Sequence, residues 1–157
     1  MIIDIHTHVG EGKHAYATIE SLKEEMRKSG TDISVCFIMG KGSVEDSLQL
    51  AEDCDDQIIP FIRFDPKQVT PEKLKPLLPK FKGVKFHPRL EDFDPLDPEF
   101  DPIYKTIEGS GLPIIIHTRK EETKYSDPEY LLPLPEPLPF GFNGPVVIHV
   151  APDSQGY

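Results

Sequence analysis

His6 and His8 stand two residues apart in Ile3-Asp4-Ile5-His6-Thr7-His8-Val9-Gly10, and this spacing carries the strongest chemical signal in the chain. On an extended backbone alternate side chains share a face, so Asp4, His6 and His8 point the same way. Two imidazoles at the carboxyl end of a strand can converge on one metal ion. Asp4 is placed to orient one of them, as metal-bound histidines require. His117 closes the apolar run 112–116 and His149 closes 146–148. A single histidine after an apolar run is more often structural than a ligand. The His-x-His pair tips all four toward a metal centre.

Two further groups flank these histidines. Lys85 and His87 share a strand face in Gly83-Val84-Lys85-Phe86-His87-Pro88, followed by Arg89. Lys85 lies before the expected strand end, as a core-pairing or substrate-binding lysine would. His87, with Pro88 and Arg89 beside it, is a candidate contact for an anionic substrate group, or a satisfied loop histidine. Nothing marks out His14. The acidic clusters at 53–56 and 91–92 read as solvated surface.

The elements that must hold these residues alternate in type. Residues 2–5, 33–39, 58–62, 83–87, 113–117 and 145–150 read as short, largely apolar strands. Helices are expected over 18–29 with Gly30 as its stop, from Ser43 with a cap from Ser43 and Asp46, from Thr70-Pro71, and from Asp97-Pro98 to about residue 109. Strands alternating with helices imply right-handed parallel βαβ units, built either as an open doubly wound sheet or as a TIM barrel. No glycine-rich fingerprint follows the first strand, so the dinucleotide-binding reading has no support. Histidines at the carboxyl ends of several strands favour the barrel, which carries its chemistry there. Before the last strand, prolines at 133, 135, 137 and 139 exclude a normal helix and leave only residues 127–132 to form one.

Composition narrows the function classes. The 157 residues carry a net charge of −10 at a pI near 5.0, which argues against non-specific nucleic-acid binding. No apolar run reaches the roughly 18 residues of a membrane span, and no signal peptide is visible at the N-terminus. Cys36 and Cys54 form no pair pattern, so a cytoplasmic location is expected.

In order along the chain, residues 3–10, 83–88, 112–118 and 146–149 resemble the first, fourth, fifth and sixth strand segments of the amidohydrolase superfamily. The likeness is narrower still to the amidohydrolase 2 family, which includes the aminocarboxymuconate-semialdehyde decarboxylases. The resemblance implies a distorted TIM (β/α)8 barrel with a divalent metal, zinc first, held by His6, His8 and His117. It implies that His149 is a further ligand or the catalytic residue that polarises substrate or water, in a hydrolase or decarboxylase acting on a small molecule. Lys85, His87 and Arg89 are the expected substrate contacts. The family also carries an essential aspartate after its eighth strand, to which no residue here corresponds; Asp153 follows the sixth. A complete barrel takes about 250 residues, so residues 1–157 are expected to form one incomplete barrel domain of about six βα units. Exposed sheet edges then make a homo-oligomer the expectation over a monomer. Two alternatives share the opening motif or the half-barrel: a TatD-like or PHP-type metallo-phosphoesterase, and a non-catalytic binding or assembly protein.

Overall fold

A computed structural model describes residues 1–12, 15–120, 124–131 and 144–150 of the chain. His14, the prolines from 133 to 139, and Asp153 lie outside the described residues. The strands are β1 (Ile3–Val9), β2 (Ile33–Ile38), β3 (Ile58–Pro60), β4 (Ile62–Arg63), β5 (Val84–Phe86), β6 (Ile114–Thr118) and β7 (Val146–Val150). Every pairing is parallel and joins sequence neighbours, in two sheets of order β1-β2-β3 and β4-β5-β6-β7.

The expected strand over 58–62 is interrupted at Phe61. Its first part pairs with β2, and Phe61 still donates its N–H to Cys36 O at 2.9 Å. The pairing then passes to β5: Ile62 donates to Gly83 O at 3.0 Å, while Lys82 donates to Pro60 O at 3.0 Å. A Cβ at Gly83 would meet the Phe61 ring at 2.2 Å, so glycine is the residue that lets the two segments approach. β1 also differs from expectation, running on through His6 and His8 instead of stopping before them.

Helices cover the outer face. α1 (Ile19–Ser29) is closed by a reciprocal capping box, in which Thr18 Oγ1 accepts from Ser21 N and Ser21 Oγ accepts from Thr18 N. It stops at Gly30, whose φ of 74° a side chain would strain. Ile19, Leu22 and Met26 recur at helical spacing and pack on Val9, Cys36 and Ile38. Burying a leucine such as Leu22 contributes about 1.5–3 kcal/mol. α2 (Val44–Asp53) begins at Ser43, whose Oγ accepts from Asp46 N at 3.1 Å.

α3 (Pro71–Leu74) is only one turn long, because Pro76 cannot continue it. α4 (Pro88–Glu91) was not expected. The helix expected from Asp97-Pro98 opens as a 3-10 turn, and α5 (Asp101–Glu108) follows it. α6 (Pro128–Leu131) falls where residues 127–132 were expected to turn. The outer core between these helices and β4 to β7 contains Phe64, Phe86, Phe93, Tyr104 and Ile114.

Candidate functional site

Alternation along the strands sends a second set of side chains inward. Ile62, Phe64, Val84, Phe86, Ile114 and Ile116 belong to the outer core, so Phe61, Arg63, Lys85, Ile115 and His117 face the other way. Val35, Phe37, Phe61 and Ile115 form the apolar floor of this inner face. The sheet curls until its first and last strands meet through their side chains. His6 of β1 stacks on His149 of β7 with ring centroids 3.6 Å apart. A flat array of β1 to β7 could not make that contact, so the inner face is a barrel lumen.

Five imidazoles follow one another along its rim. His87 stacks on His117 at 3.8 Å, His117 lies 5.8 Å from His149, His149 meets His6 at 3.6 Å, and His6 meets His8 edge-on at 4.8 Å. Phe37 lies beneath them. His6 and His8 stand edge-on to its ring at 4.8 and 4.7 Å, and Lys85 Nζ sits 4.9 Å from its centroid. The structure thus brings together His6, His8, Lys85, His87, His117 and His149. Arg89 is exposed at the mouth, near enough for its charge to act on His87 and His117. Asp4 Oδ1 accepts the backbone N–H of His6 at 3.0 Å, fixing the strand where the histidines leave it.

Burial and nearby positive charge favour the neutral form of His6, His87, His117 and His149. Desolvation and the Lys85 charge push His6 down to about 2 and His117 down to about 3, and lower His149 in the same way. Burial, then His117 and Arg63, lower His87 as well. Lys85 is pushed down to about 7, first by burial and then by Arg63. Neutral imidazoles are the form in which histidine binds a metal or accepts a proton.

Buried polar atoms without a hydrogen-bond partner concentrate here: Arg63 Nε, Lys85 Nζ, His87 Nδ1, Glu91 Oε2, His117 Nε2 and His149 Nδ1. Such atoms are costly in a folded protein, and a cluster of them on one face marks a place built for a ligand. The donor set fits a divalent metal of zinc type, for which imidazole nitrogen is a preferred ligand. Among the described residues no three His, Cys, Asp or Glu side chains already group as a metal-holding set.

Two residues of the lumen went unrecognised in the sequence. Arg63 is fully buried, and its Nη2 donates to Glu91 Oε1 at 2.7 Å. Its Nη1 donates to Ile38 O at 3.2 Å. Ser47 Oγ accepts from Arg63 N and donates to Arg63 O. Glu91, expected on the surface, is instead buried, because α4 turns it inward onto Arg63 and Gly42 N, at 3.0 Å from the latter. Burial pushes its carboxyl up, while Arg63 holds it down. A signal existed: Phe61-Ile62-Arg63-Phe64 and Gly83-Val84-Lys85-Phe86 each set one cation inside an apolar run.

Comparison with known proteins supports the fold. A family described as amidohydrolase matches residues 3–140. No curated protein matches the chain. Among solved structures, a probable 2-pyrone-4,6-dicarboxylic acid hydrolase from Acinetobacter baumannii, crystallised with citric acid, superposes with a TM-score of 0.66 at 18% identity. That match covers 94% of this chain and 57% of the other. The 5-carboxyvanillate decarboxylase of Sphingomonas paucimobilis gives 0.55 at 18% identity, over 78% of this chain and 53% of that one. An uncharacterised TIM-barrel protein of Bordetella bronchiseptica gives 0.60 at 18%, over 83% and 60%. The chain therefore spans little more than half the length of these structures, and its fold is an incomplete TIM barrel. No helix among the described residues is long and apolar enough to cross a membrane.

Proposed function

The chain belongs to the amidohydrolase family, and from that premise we propose that its lumen is the metal-binding half of a hydrolytic or decarboxylating site for a small carboxylate-bearing substrate. The family match disfavours the TatD-like and PHP-type readings. The observation that carries the proposal is the arc of five contacting imidazoles whose buried nitrogens at His87, His117 and His149 have no partner. His6, His8 and His117 would hold the metal, zinc first. When bound, such an ion lowers the pKa of a coordinated water and polarises a carbonyl oxygen.

The chain's own residues have distinct tasks in this reading. His149 stays neutral and half-buried beside His6 and His117, so its free Nδ1 can accept a proton or hydrogen-bond a reacting oxygen. Phe37 closes the floor and keeps water from the space beneath His6 and His8. Lys85 and His87 offer unpartnered nitrogens to an anionic group, and Arg89 draws such a group to the mouth. Carboxylates recur among the similar structures, in a dicarboxylic acid hydrolase and a carboxyvanillate decarboxylase.

Elemental mass spectrometry on untagged, chelator-free protein tests the metal. The expected result is about one zinc or similar ion per chain, lost in H6A and in H117A and kept in K82A, an exposed control. Protein that stays metal-free after reconstitution would leave the non-catalytic half-barrel as the reading.

A further inference from the structure

Among the described residues, Arg63 and Lys85 are the only buried lysine or arginine, and Glu91 is the only buried carboxylate. All three belong to one lumen. Arg63 and Lys85 are paired in register on adjacent strands, and Glu91 reaches Arg63 from α4. The carboxylate is fully committed on one side: its Oε1 takes both Arg63 Nη2 and Gly42 N. Arg63 is therefore neutralised within the protein, whereas Lys85 Nζ has no acceptor and rests only on the Phe37 ring. A buried cation without a partner is costly, and the cost falls when an anion arrives.

We propose that Glu91 is a specificity-determining residue: as an internal counter-anion on Arg63 it leaves the lumen with one uncompensated cation, Lys85, so the site selects monocarboxylates over dicarboxylates. This rests on the proposed carboxylate-bearing substrate but not on the metal. A first carboxylate satisfies Lys85 and the nearby His87 Nδ1. A second would have to be desolvated against Glu91, whose buried Oε2 is itself unpartnered and repels it. Removing the Glu91 charge should open Arg63 to that second carboxylate.

The test titrates benzoate and isophthalate into the purified chain near pH 6, followed by amide chemical-shift changes in NMR spectra, with and without chelator. Wild type should bind benzoate about tenfold more tightly than isophthalate. In E91Q, which keeps an acceptor for Arg63 and Gly42, the order should reverse. K85M keeps the Arg63–Glu91 pair intact and should lose affinity for both anions by about tenfold or more, so it tests the same idea if E91Q fails to fold. An unchanged preference in folded E91Q, or wild-type benzoate affinity in K85M, overturns the proposal. So does wild-type protein that binds neither anion. Anion binding is read without turnover, so loss of the metal reading in the elemental assay would leave this result standing.

Discussion

Replacing Lys85 by methionine should stabilise the protein at low pH and do nothing at high pH. Met has nearly the length of Lys and suits the apolar contact with Phe37. The pH dependence follows from linkage. In the unfolded chain Lys85 titrates at its ordinary value of 10.5; in the fold burial holds it down to about 7. Below pH 7 both states are protonated, and the native state carries the full cost of a buried ammonium. Between 7 and 10.5 the unfolded state binds more protons, so wild-type stability rises with pH. Above 10.5 both are neutral and the cost is gone. At about 1.4 kcal/mol per pKa unit the gap corresponds to roughly 5 kcal/mol, and relaxation of the site will reduce it to about 2–4 kcal/mol. The assay is urea unfolding of both proteins at several pH values in chelator and in the absence of carboxylate buffers. The midpoint of K85M should exceed that of wild type most at pH 6, with the difference closing by pH 10. A difference independent of pH would refute the claim that the buried charge is the cause.

Other outcomes follow from the same structure. G83A should cost about 1–3 kcal/mol in urea unfolding, because the added Cβ would overlap the Phe61 ring, and F61L in the same chain should recover part of the loss. R63M leaves Glu91 buried without its partner and should cost about 3–5 kcal/mol, whereas R63M/E91L should cost much less, a coupling that a double-mutant cycle measures directly. On the acid side, His6 and His117 remain neutral in the fold down to about 2 and about 3, while the unfolded chain takes up protons from 6.5. Stability should therefore fall as pH drops below 6.5, and H117N should flatten that decline in a chelator-treated urea series.

The parallel βα pattern and the four strand-end histidines were legible because each of those histidines closes a strand-like segment. His6, His8, His117 and His149 end apolar runs, and alternation alone puts them on the face opposite the outer core. What could not be read was tertiary. Glu91 looks like a surface acid beside Asp92, and only the one-turn α4 directs it under the rim to Arg63. The break at Phe61 is likewise invisible in 58–62, since it consists in a change of partner from β2 to β5. Helix ends fared better, because the Ser43 cap with Asp46 and the stop at Gly30 are local chemistry.

The ring contact between His6 and His149 has a kinetic consequence. Every strand pairing joins sequence neighbours, so the scaffold can grow by closing short loops, the fast kind of folding step. The imidazole arc cannot, because the His6–His149 contact within it joins opposite ends of the described chain. Structure should spread along the polypeptide first, and the chemistry should be assembled last, when the final strand arrives. Amide protection in pulse-labelled refolding should accordingly appear in β2, β5 and β6 before the histidine ring protons reach their native shifts.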